Sequence, residues 1–510
     1  MENNIILKKT PYLGVLSSFI VGLFIHCFGL VNVLHNHDNI YRVAEGYGSG
    51  VHSGRWFLTI LGDFVDLIFG GHNLAWLNGV VFIAILAISA GLLISTFHVK
   101  SRLSAVLIGI CMVAYPSVAA TLFYRFTSVY YGVAILLAIL AGYVIEKYNS
   151  KIAFPVAIIC IALSMGIYQA YVSFTITIFL LLLLKVTLDG NTSPKKVITT
   201  GIYYVLVIAL GAILYLVVMK LSLVVYDVVL TDYKGMNDMG ISVAKIPSLI
   251  ASAFLPILKL PMQDYEDVAK TVFVGLCYLA IYLIIAIRLF VLFFKKTQKI
   301  INVVFALLLC AILPLALNFV VVLCGRDMVY ILMLYPLVMI LFIPILFEEW
   351  LPNLEGKWEL LNYNLKRITV VILLIVSCLY TYQINTNYTM QYYNNELIKN
   401  YYNRMITQVQ MTPGYDTSKK IVFIGKNQDP LLTKSWNTEE RFGGNMELER
   451  LIDFRREYWI KEYIGATLPL ASDSEKESLL ETDVVKNMVC WPNYGSVQII
   501  NDYVVIKLSE

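Results

Sequence analysis

The chain has 510 residues, of which 58% are hydrophobic and 15% are charged, and its mean hydropathy is +0.71. Soluble domains are closer to a quarter charged, so this composition is typical of a polytopic membrane protein. The net charge of +4 is small for this length, and no basic run suggests a nucleic-acid partner. The eight cysteines occur singly, without a CxxC pair or a Cys/His cluster, so neither a disulfide framework nor a zinc site is indicated.

Long apolar runs predict eleven membrane-spanning helices, because about 18 or more apolar residues suffice to cross a hydrocarbon core. One stretch, residues 152–186, is interrupted by the polar sequence GIYQ and is therefore predicted to form two short helices with a turn near Gly166. The other nine spans are predicted near residues 12–34, 74–97, 103–122, 128–145, 198–223, 271–294, 300–323, 329–347 and 368–384.

Two further segments are apolar but too short or too charged to span. In residues 54–71, apolar side chains recur at helical spacing around Asp63 and Asp66, which predicts a helix lying in the outer leaflet interface. Residues 242–260 are predicted to form a second interfacial helix, kinked at its prolines.

Lysine and arginine predict the orientation of the spans. With the N-terminus in the cytoplasm, each predicted inner connection carries at least two basic residues, whereas the opposite connections are longer and richer in acid. We therefore predict a multi-pass cell-membrane protein with a cytoplasmic N-terminus and an extracytoplasmic tail.

After about residue 384 the spans stop and charged residues increase. We predict a membrane-embedded domain over 1–384 and a small extracytoplasmic α+β domain over 385–510, with strands at 419–426, 495–500 and 503–508 and an amphipathic helix at 446–460. Four aromatic residues of this tail could contact a glycan or form its core: Trp436, Tyr458, Trp459 and Trp491.

No motif of a soluble enzyme is present, neither a Walker loop nor GxSxG, HExxH or GxGxxG after a strand. Polar residues instead collect at the predicted outer face. Arginine at membrane depth usually faces a cavity and its fork matches phosphate oxygens, so a phosphate-bearing ligand is indicated. The candidate phosphate-binding residues are Arg42, Arg55, Arg125 and Arg326, and the candidate substrate-binding residues are His37, Tyr168, Gln169 and Asp327.

Asp38 lies in HNHDNIYR, residues 35–42, directly after the first span. A carboxylate at that place is suited to take a proton from an attacking hydroxyl as a general base. Glu45 is the competing candidate. His35 and His37 could bind a metal ion, but no second cluster of ligands accompanies them, so we expect no metal site and no cofactor. The alternative is an enzyme that requires a divalent metal ion.

Four segments together resemble the Gtr-type bacterial glucosyltransferases, which include phage-encoded serotype-converting O-antigen enzymes. They are HNHDNIYR (35–42), SGRWF (53–57), YPSVAATLFYRF (115–126) and LSMGIYQAYVSF (163–174), and the likeness covers roughly residues 10–350. The resemblance implies a GT-C type membrane enzyme that takes a sugar from a polyprenyl-phosphate carrier, such as undecaprenyl phosphate, and places it on an acceptor outside the membrane. It also implies that Asp38 is the acidic residue of the first outer loop and that Arg55, Arg125 or Arg326 grips the lipid phosphate.

The expected reaction is inverting transfer of a glycosyl group, most simply glucosyl, to a surface polysaccharide or cell-wall polymer. Alternative functions are a polymerase or ligase of lipid-linked surface polysaccharide, which would use a diphosphate donor, and a flippase, which would form no bond. A flippase would need charges through the bilayer midplane, where this sequence has mostly Leu, Ile and Val.

Overall fold

The computed structural model describes residues 2–42, 46–189, 192–231, 246–262, 268, 271–294, 300–351, 358–429, 432 and 448–510. Contacts divide the chain into two compact units: unit 1 comprises Met1–Val31 and Glu45–Asn385, and unit 2 comprises Asn32–Ala44 and Thr386–Glu510. The short segment that carries Asp38 thus groups with the C-terminal part of the chain. The domain limits at residues 384 and 385 stay a prediction.

Unit 1 is built from helices. They are α1 (Glu2–Val31), α2 (Trp56–Phe69), α3 (Ala75–Thr96), α4 (Arg102–Ala114), α5 (Pro116–Leu122), α6 (Arg125–Lys147), α7 (Ser150–Ile167), α8 (Val172–Leu188), α9 (Pro194–Val225), α10 (Ile246–Leu258), α11 (Val272–Phe294), α12 (Ile300–Leu317), α13 (Val320–Cys324), α14 (Met339–Trp350) and the first part of α15 (Glu359–Met411). Short 3-10 turns join several of them.

Among the described residues, ten helices are long and apolar enough to cross a membrane, or eleven if α4 and α5 form one bent span. The bend of 43° lies at Tyr115, which is extended because the following Pro116 disfavours helical backbone in the residue before it. These helices and a small C-terminal sheet confirm the predicted class, a polytopic helical membrane protein with a small α+β region. Its GT-C-like character stays a prediction.

The helices of unit 1 approach one another closely at small residues. A Cβ atom on Gly109 of α4 would lie 2.5 Å from the carbonyl oxygen of Gly14 in α1, so only glycine fits there. Membrane helices gain contact area in this way because lipid offers no hydrophobic force that drives them together.

The predicted break in residues 152–186 is confirmed. Helix α7 ends at Ile167, Tyr168 is extended, and a 3-10 turn over Gln169–Tyr171 leads into α8. The two predicted interfacial helices correspond to α2 and α10. Helix α2 buries Trp56 and Leu58 and exposes a stripe of large apolar side chains, Ile60, Phe64, Leu67 and Ile68, as expected for contact with lipid.

The described part of unit 2 contains the remainder of α15, a three-stranded sheet and four short helices. The strands β1 (Lys420–Ile424), β2 (Val497–Ile500) and β3 (Tyr503–Lys507) have the order β1-β3-β2, with β1 parallel and β2 antiparallel to β3. The helices are α16 (Leu448–Asp453), α17 (Arg456–Ile464), α18 (Asp473–Leu480) and α19 (Asp483–Lys486). All three predicted strands are therefore present.

Alternation along β1 and β3 gives this sheet two buried faces. Ile421, Phe423, Val504 and Ile506 pack with α15 and α17, whereas Val422, Ile424 and Val505 pack with α18 and α19. Trp459 and Trp491 belong to the first of these clusters, so they form core and not a glycan surface. Trp436 lies outside the described residues.

The helix predicted at 446–460 and the last predicted span both differ from the structure. The expected single helix at 446–460 is interrupted at Arg455, whose φ of 51° is left-handed, so α16 and α17 are separate. Helix α15 continues far beyond the predicted span at 368–384. Its 53 residues extend about 80 Å, against about 30 Å for a hydrocarbon core.

Candidate active site

Arg55 lies at the start of α2 and is buried, with 7% of its surface exposed. Its Nη1 donates a hydrogen bond to the hydroxyl of Tyr131 at 3.1 Å, and its guanidinium carbon lies 4.8 Å from the ring centroid of Tyr168. The rings of Tyr131 and Tyr168 stack at 4.5 Å, only 16° from parallel. The guanidinium group therefore rests against a stacked tyrosine pair, a geometry that fixes a planar cation.

The break between α7 and α8 supplies part of this environment. Because Tyr168 is extended, its side chain can reach Arg55 instead of continuing the helix surface. The next residue, Gln169, donates hydrogen bonds to the carbonyl of Ser53 at 3.1 Å and to the hydroxyl of Tyr215 at 2.9 Å. Tyr215 in turn donates to the carbonyl of Gly54. Gln169 thus secures the turn that directly precedes Arg55.

Arg125 is the first residue of α6 and is also buried, with 4% of its surface exposed. Its carbonyl accepts hydrogen bonds from Asn78 of α3 and from Ser128. Tyr131, the partner of Arg55, follows six residues later on the same helix, about 9 Å along its axis. The two arginines are thus anchored near the same end of α6.

Tyr47 and Asp63 add a polar pair that the sequence did not assign to the site. The Tyr47 hydroxyl donates to Asp63 Oδ1 at 2.7 Å, and partial burial together with this carboxylate raises the pKa of Tyr47 above its usual value. Asp63 lies on α2, eight residues after Arg55. The signal in the sequence was the presence of two acids, Asp63 and Asp66, in an otherwise apolar predicted helix.

Asp38 belongs to unit 2, where its Oδ2 lies 3.6 Å from His37 Nε2. The Asp38 side chain is 38% exposed, while the neighbouring Asn36 and Ile40 are buried. A carboxylate held at 38% exposure can meet a substrate hydroxyl and still be oriented by its loop.

Four predicted residues have less structural detail. Glu45 lies outside the described residues. Arg42 ends the turn Ile40–Arg42 and Arg326 begins the turn Arg326–Met328, but their side chains are outside the described part. Asp327, in the second turn, is exposed.

The structure therefore brings together Arg55, Tyr168 and Gln169, with Arg125 near the same end of α6, all in unit 1. Asp38, His37 and Arg42 group with unit 2. Their convergence on one cavity stays a prediction. Tyr131 and Tyr215 were missed because tyrosines within apolar runs carry no signal of their polar partners.

The comparisons with known proteins bear on this set of residues. The family model described as glucosyl transferase GtrII matches residues 27–343, which is most of the chain and includes Asp38, Arg55 and Arg125. The chain belongs to the GtrII glucosyl transferase family. No curated protein and no solved structure shows significant similarity to it.

Membership of the GtrII family confirms the resemblance noted in the sequence and assigns the chain to the glycosyltransferases. Such an enzyme requires a sugar donor and an acceptor. The ten apolar helices make this GtrII-family chain a multi-pass membrane protein.

Within the described part of this GtrII-family chain, no group of three or more His, Cys, Asp or Glu residues is arranged to hold a metal ion. His37 and Asp38 are neighbours, but no third ligand of these types joins them there. The expectation that no metal is required stays a prediction.

A cleft of about 270 Å³ lies at the opposite end of α3 and α6 from Arg125. Its lining includes Thr10, His98, Tyr143 and Glu146. Lys185 donates to Glu146 at 2.8 Å and lies 3.0 Å from His98 Nδ1. Burial and Lys185 lower the pKa of His98, which favours the neutral imidazole there. The cleft is separate from the arginine pair.

Proposed function

We propose that this membrane glucosyltransferase transfers a glucosyl group from a polyprenyl-phosphate donor to a surface polysaccharide or wall-polymer acceptor at the outer face of the membrane. The family match over residues 27–343 carries the proposal, because it supplies glucosyl transfer and spans Asp38, Arg55 and Arg125. A nucleotide-sugar pool is absent outside the cell, so a transferase working there needs a lipid-carried donor.

The buried arginines support a phosphate-bearing donor. Arg55 and Arg125 carry their charge in surroundings of low dielectric, where a bound phosphate interacts far more strongly than in water. Arg42 and Arg326 remain further candidates for the same contact. The lipid tail of the donor would lie along the apolar helices.

Asp38 is proposed as the general base. The acceptor hydroxyl oxygen attacks the anomeric carbon, the bond from that carbon to the phosphate oxygen breaks, and polyprenyl phosphate leaves with the electron pair. Asp38 takes the hydroxyl proton. Arginine stabilises the charge that develops on the leaving phosphate. In-line displacement inverts the anomeric centre, and the product anomer, read by NMR, tests this step.

The remaining candidate residues are proposed to bind the substrate or to serve as an alternative base. Tyr168 and Gln169, next to Arg55, and His37, next to Asp38, are proposed to contact the substrate, and Asp327 is a further candidate. Glu45 is the competing base. The basic inner connections support a cytoplasmic N-terminus and an extracytoplasmic C-terminal domain.

The test uses the purified full-length protein in lipid with labelled polyprenyl-phosphate glucose and a wall or surface glycan. The native protein should transfer the label, and Asp38→Asn should reduce the rate by about 10²–10⁴-fold, the usual contribution of a general base. Asp473→Asn makes the same chemical change at an exposed site of unit 2 and serves as the matched control. It should retain native activity.

Two outcomes would contradict the proposal. Full transfer by Asp38→Asn would remove Asp38 from the mechanism. Transfer from a polyprenyl-diphosphate sugar but not from the monophosphate would replace the donor and favour the polymerase or ligase.

A further inference from the structure

The loop that carries Asp38 is part of the hydrophobic core of unit 2. Ile40 is buried in the same cluster as Tyr402 and Trp459. Tyr41 lies edge-on to Tyr458 with ring centroids 6.1 Å apart, and the guanidinium carbon of Arg455 lies 4.4 Å from the Tyr41 centroid. The residues that follow Asp38 are therefore anchored by side-chain packing.

His35, at the beginning of the loop, is held by hydrogen bonds to its backbone. The His35 N–H donates to Asn395 Oδ1 at 2.7 Å, and the His35 carbonyl accepts from Asn395 Nδ2 at 2.9 Å and from Gln391 Nε2. A single amide side chain of α15 thus satisfies both backbone groups of one residue. Asn395 and Gln391 are both buried, and their hydrogen bonds to His35 offset part of the cost of removing these amides from water.

The His35 ring is also enclosed. Trp459 and Tyr463 meet it edge-on, with ring centroids 6.0 Å and 5.9 Å away. His35 Nε2 lies 3.7 Å from a carboxylate oxygen of Glu462, and this contact lowers the pKa of Glu462. The His35 ring therefore packs against three side chains of α17.

A compact turn connects these two anchors. Asn36 Oδ1 accepts hydrogen bonds from the backbone N–H of Asp38 at 3.0 Å and of Asn39 at 2.8 Å. The Asn39 side chain donates to the carbonyl of Leu34. The backbone on both sides of Asp38 is thereby fixed, while its carboxylate remains partly exposed.

We propose that the C-terminal part of unit 2 positions the Asp38 loop for catalysis. Asn395 and Gln391 are the positioning residues that hold the Asp38 carboxylate in one orientation. Four buried amides, Asn36, Asn39, Gln391 and Asn395, form hydrogen bonds to the backbone of this one short loop, and a network of buried hydrogen bonds favours a single conformation. The inference rests on the proposed role of Asp38 as general base. It assigns the C-terminal domain a task within the transfer reaction.

The test combines kinetics with hydrogen exchange on the full-length protein. Asn395→Leu keeps the branched shape of the side chain but removes both hydrogen bonds to His35. We expect faster amide exchange over residues 35–40 and at least a tenfold lower kcat, with the KM for donor and acceptor nearly unchanged. A residue that merely stabilised the fold would not separate kcat from KM in this way.

Two further variants complete the design. Gln391→Met removes one of the three hydrogen bonds and should give a smaller change in the same direction, which keeps the test valid if Asn395→Leu does not fold. Asn400→Leu, at an exposed site of the same helix, is the matched control and should retain native exchange and kcat.

The outcomes separate the two hypotheses. Native kcat in variants whose loop exchange has risen would overturn the positioning role, as would unchanged exchange over residues 35–40. If Asp38→Asn is fully active, the proposed base itself fails. If Asp38→Asn is inactive while Asn395→Leu is fully active, the proposed function stands and the positioning role falls.

Discussion

Arg55 owes its orientation to residues far away in the sequence. The sequence SGRWF identifies it as an arginine pressed against apolar residues, but its contacts are with Tyr131 and Tyr168, which follow 76 and 113 positions later. Nothing in the spacing of those tyrosines reveals that they stack. The candidate side chains could thus be predicted from their residue type, whereas the side chains that they contact depend on tertiary packing.

The planar fork of Arg55 can be tested separately from its charge. Arg55→Lys keeps the charge but loses the hydrogen-bonding fork and the stacking on Tyr168. We expect kcat/KM for the donor to fall about tenfold or more, since hydrogen bonds to charged groups contribute about 1.5–3 kcal/mol. Initial rates at varied donor concentration measure this. Arg102→Lys, at an exposed position of α4, should change nothing, and native kinetics in Arg55→Lys would refute the role.

At the scale of elements, the start of α2 packs tightly on the end of α7. A Cβ on Gly166 would lie 2.7 Å from Trp56 and 2.9 Å from Phe57. Gly166→Ala should therefore cost about 1–3 kcal/mol through overpacking and lower the thermal midpoint in detergent. In Gly201→Ala of α9 the nearest atom is the tip of Leu183 at 3.2 Å, so that control should be neutral or stabilising. A native midpoint for Gly166→Ala would contradict the packing argument.

Glu475 joins α18 to the sheet. Hydrogen bonds from Lys420 on β1, from the Ser472 N–H and from Tyr503 on β3 hold the pKa of Glu475 at about 2, below its usual 4.5. Because the folded-state pKa is depressed, this contribution to stability is complete above about pH 4.5 and is lost as the pH falls towards 2.

Glu475→Gln should therefore make the stability of the protein less dependent on pH below about pH 4.5. Thermal midpoints between pH 6 and pH 2.5, followed by tryptophan fluorescence, should fall less steeply than in the native protein. Glu477→Gln, an exposed acid on the same helix, controls for the change in net charge. An unchanged pH profile in Glu475→Gln would show that α18 does not depend on this ion pair.

The elements themselves followed from the sequence to differing degrees. Apolar length located the spans, and the polar GIYQ located the break between α7 and α8. Short segments rich in Val and Ile located β1, β2 and β3. Arg455 shows the limit, since its left-handed backbone divides α16 from α17 and arginine carries no signal for that conformation. The length of α15 was missed because its second half is amphipathic and polar.

In the molecule as a whole, the grouping of residues 32–44 with the C-terminal part of the chain could not be predicted from the sequence. Residues 32–44 lie between apolar segments of unit 1, yet they group with residues 386–510. The residues that hold them, Gln391, Asn395 and Trp459, lie more than 350 positions away. Only long-range packing reveals that the Asp38 loop is built on the C-terminal domain.

Transfer at the outer face requires that unit 2 lie outside the cell, so the orientation of the chain in the membrane is the decisive measurement. In an active chain whose native cysteines have been replaced, Asn400→Cys probes unit 2 and Ser150→Cys probes the connection between α6 and α7; both positions are exposed. An impermeant maleimide applied to intact cells should label position 400, and should label position 150 only after the membrane is permeabilised. Labelling of position 150 in intact cells, with position 400 protected, would put unit 2 in the cytoplasm and would contradict transfer at the outer face.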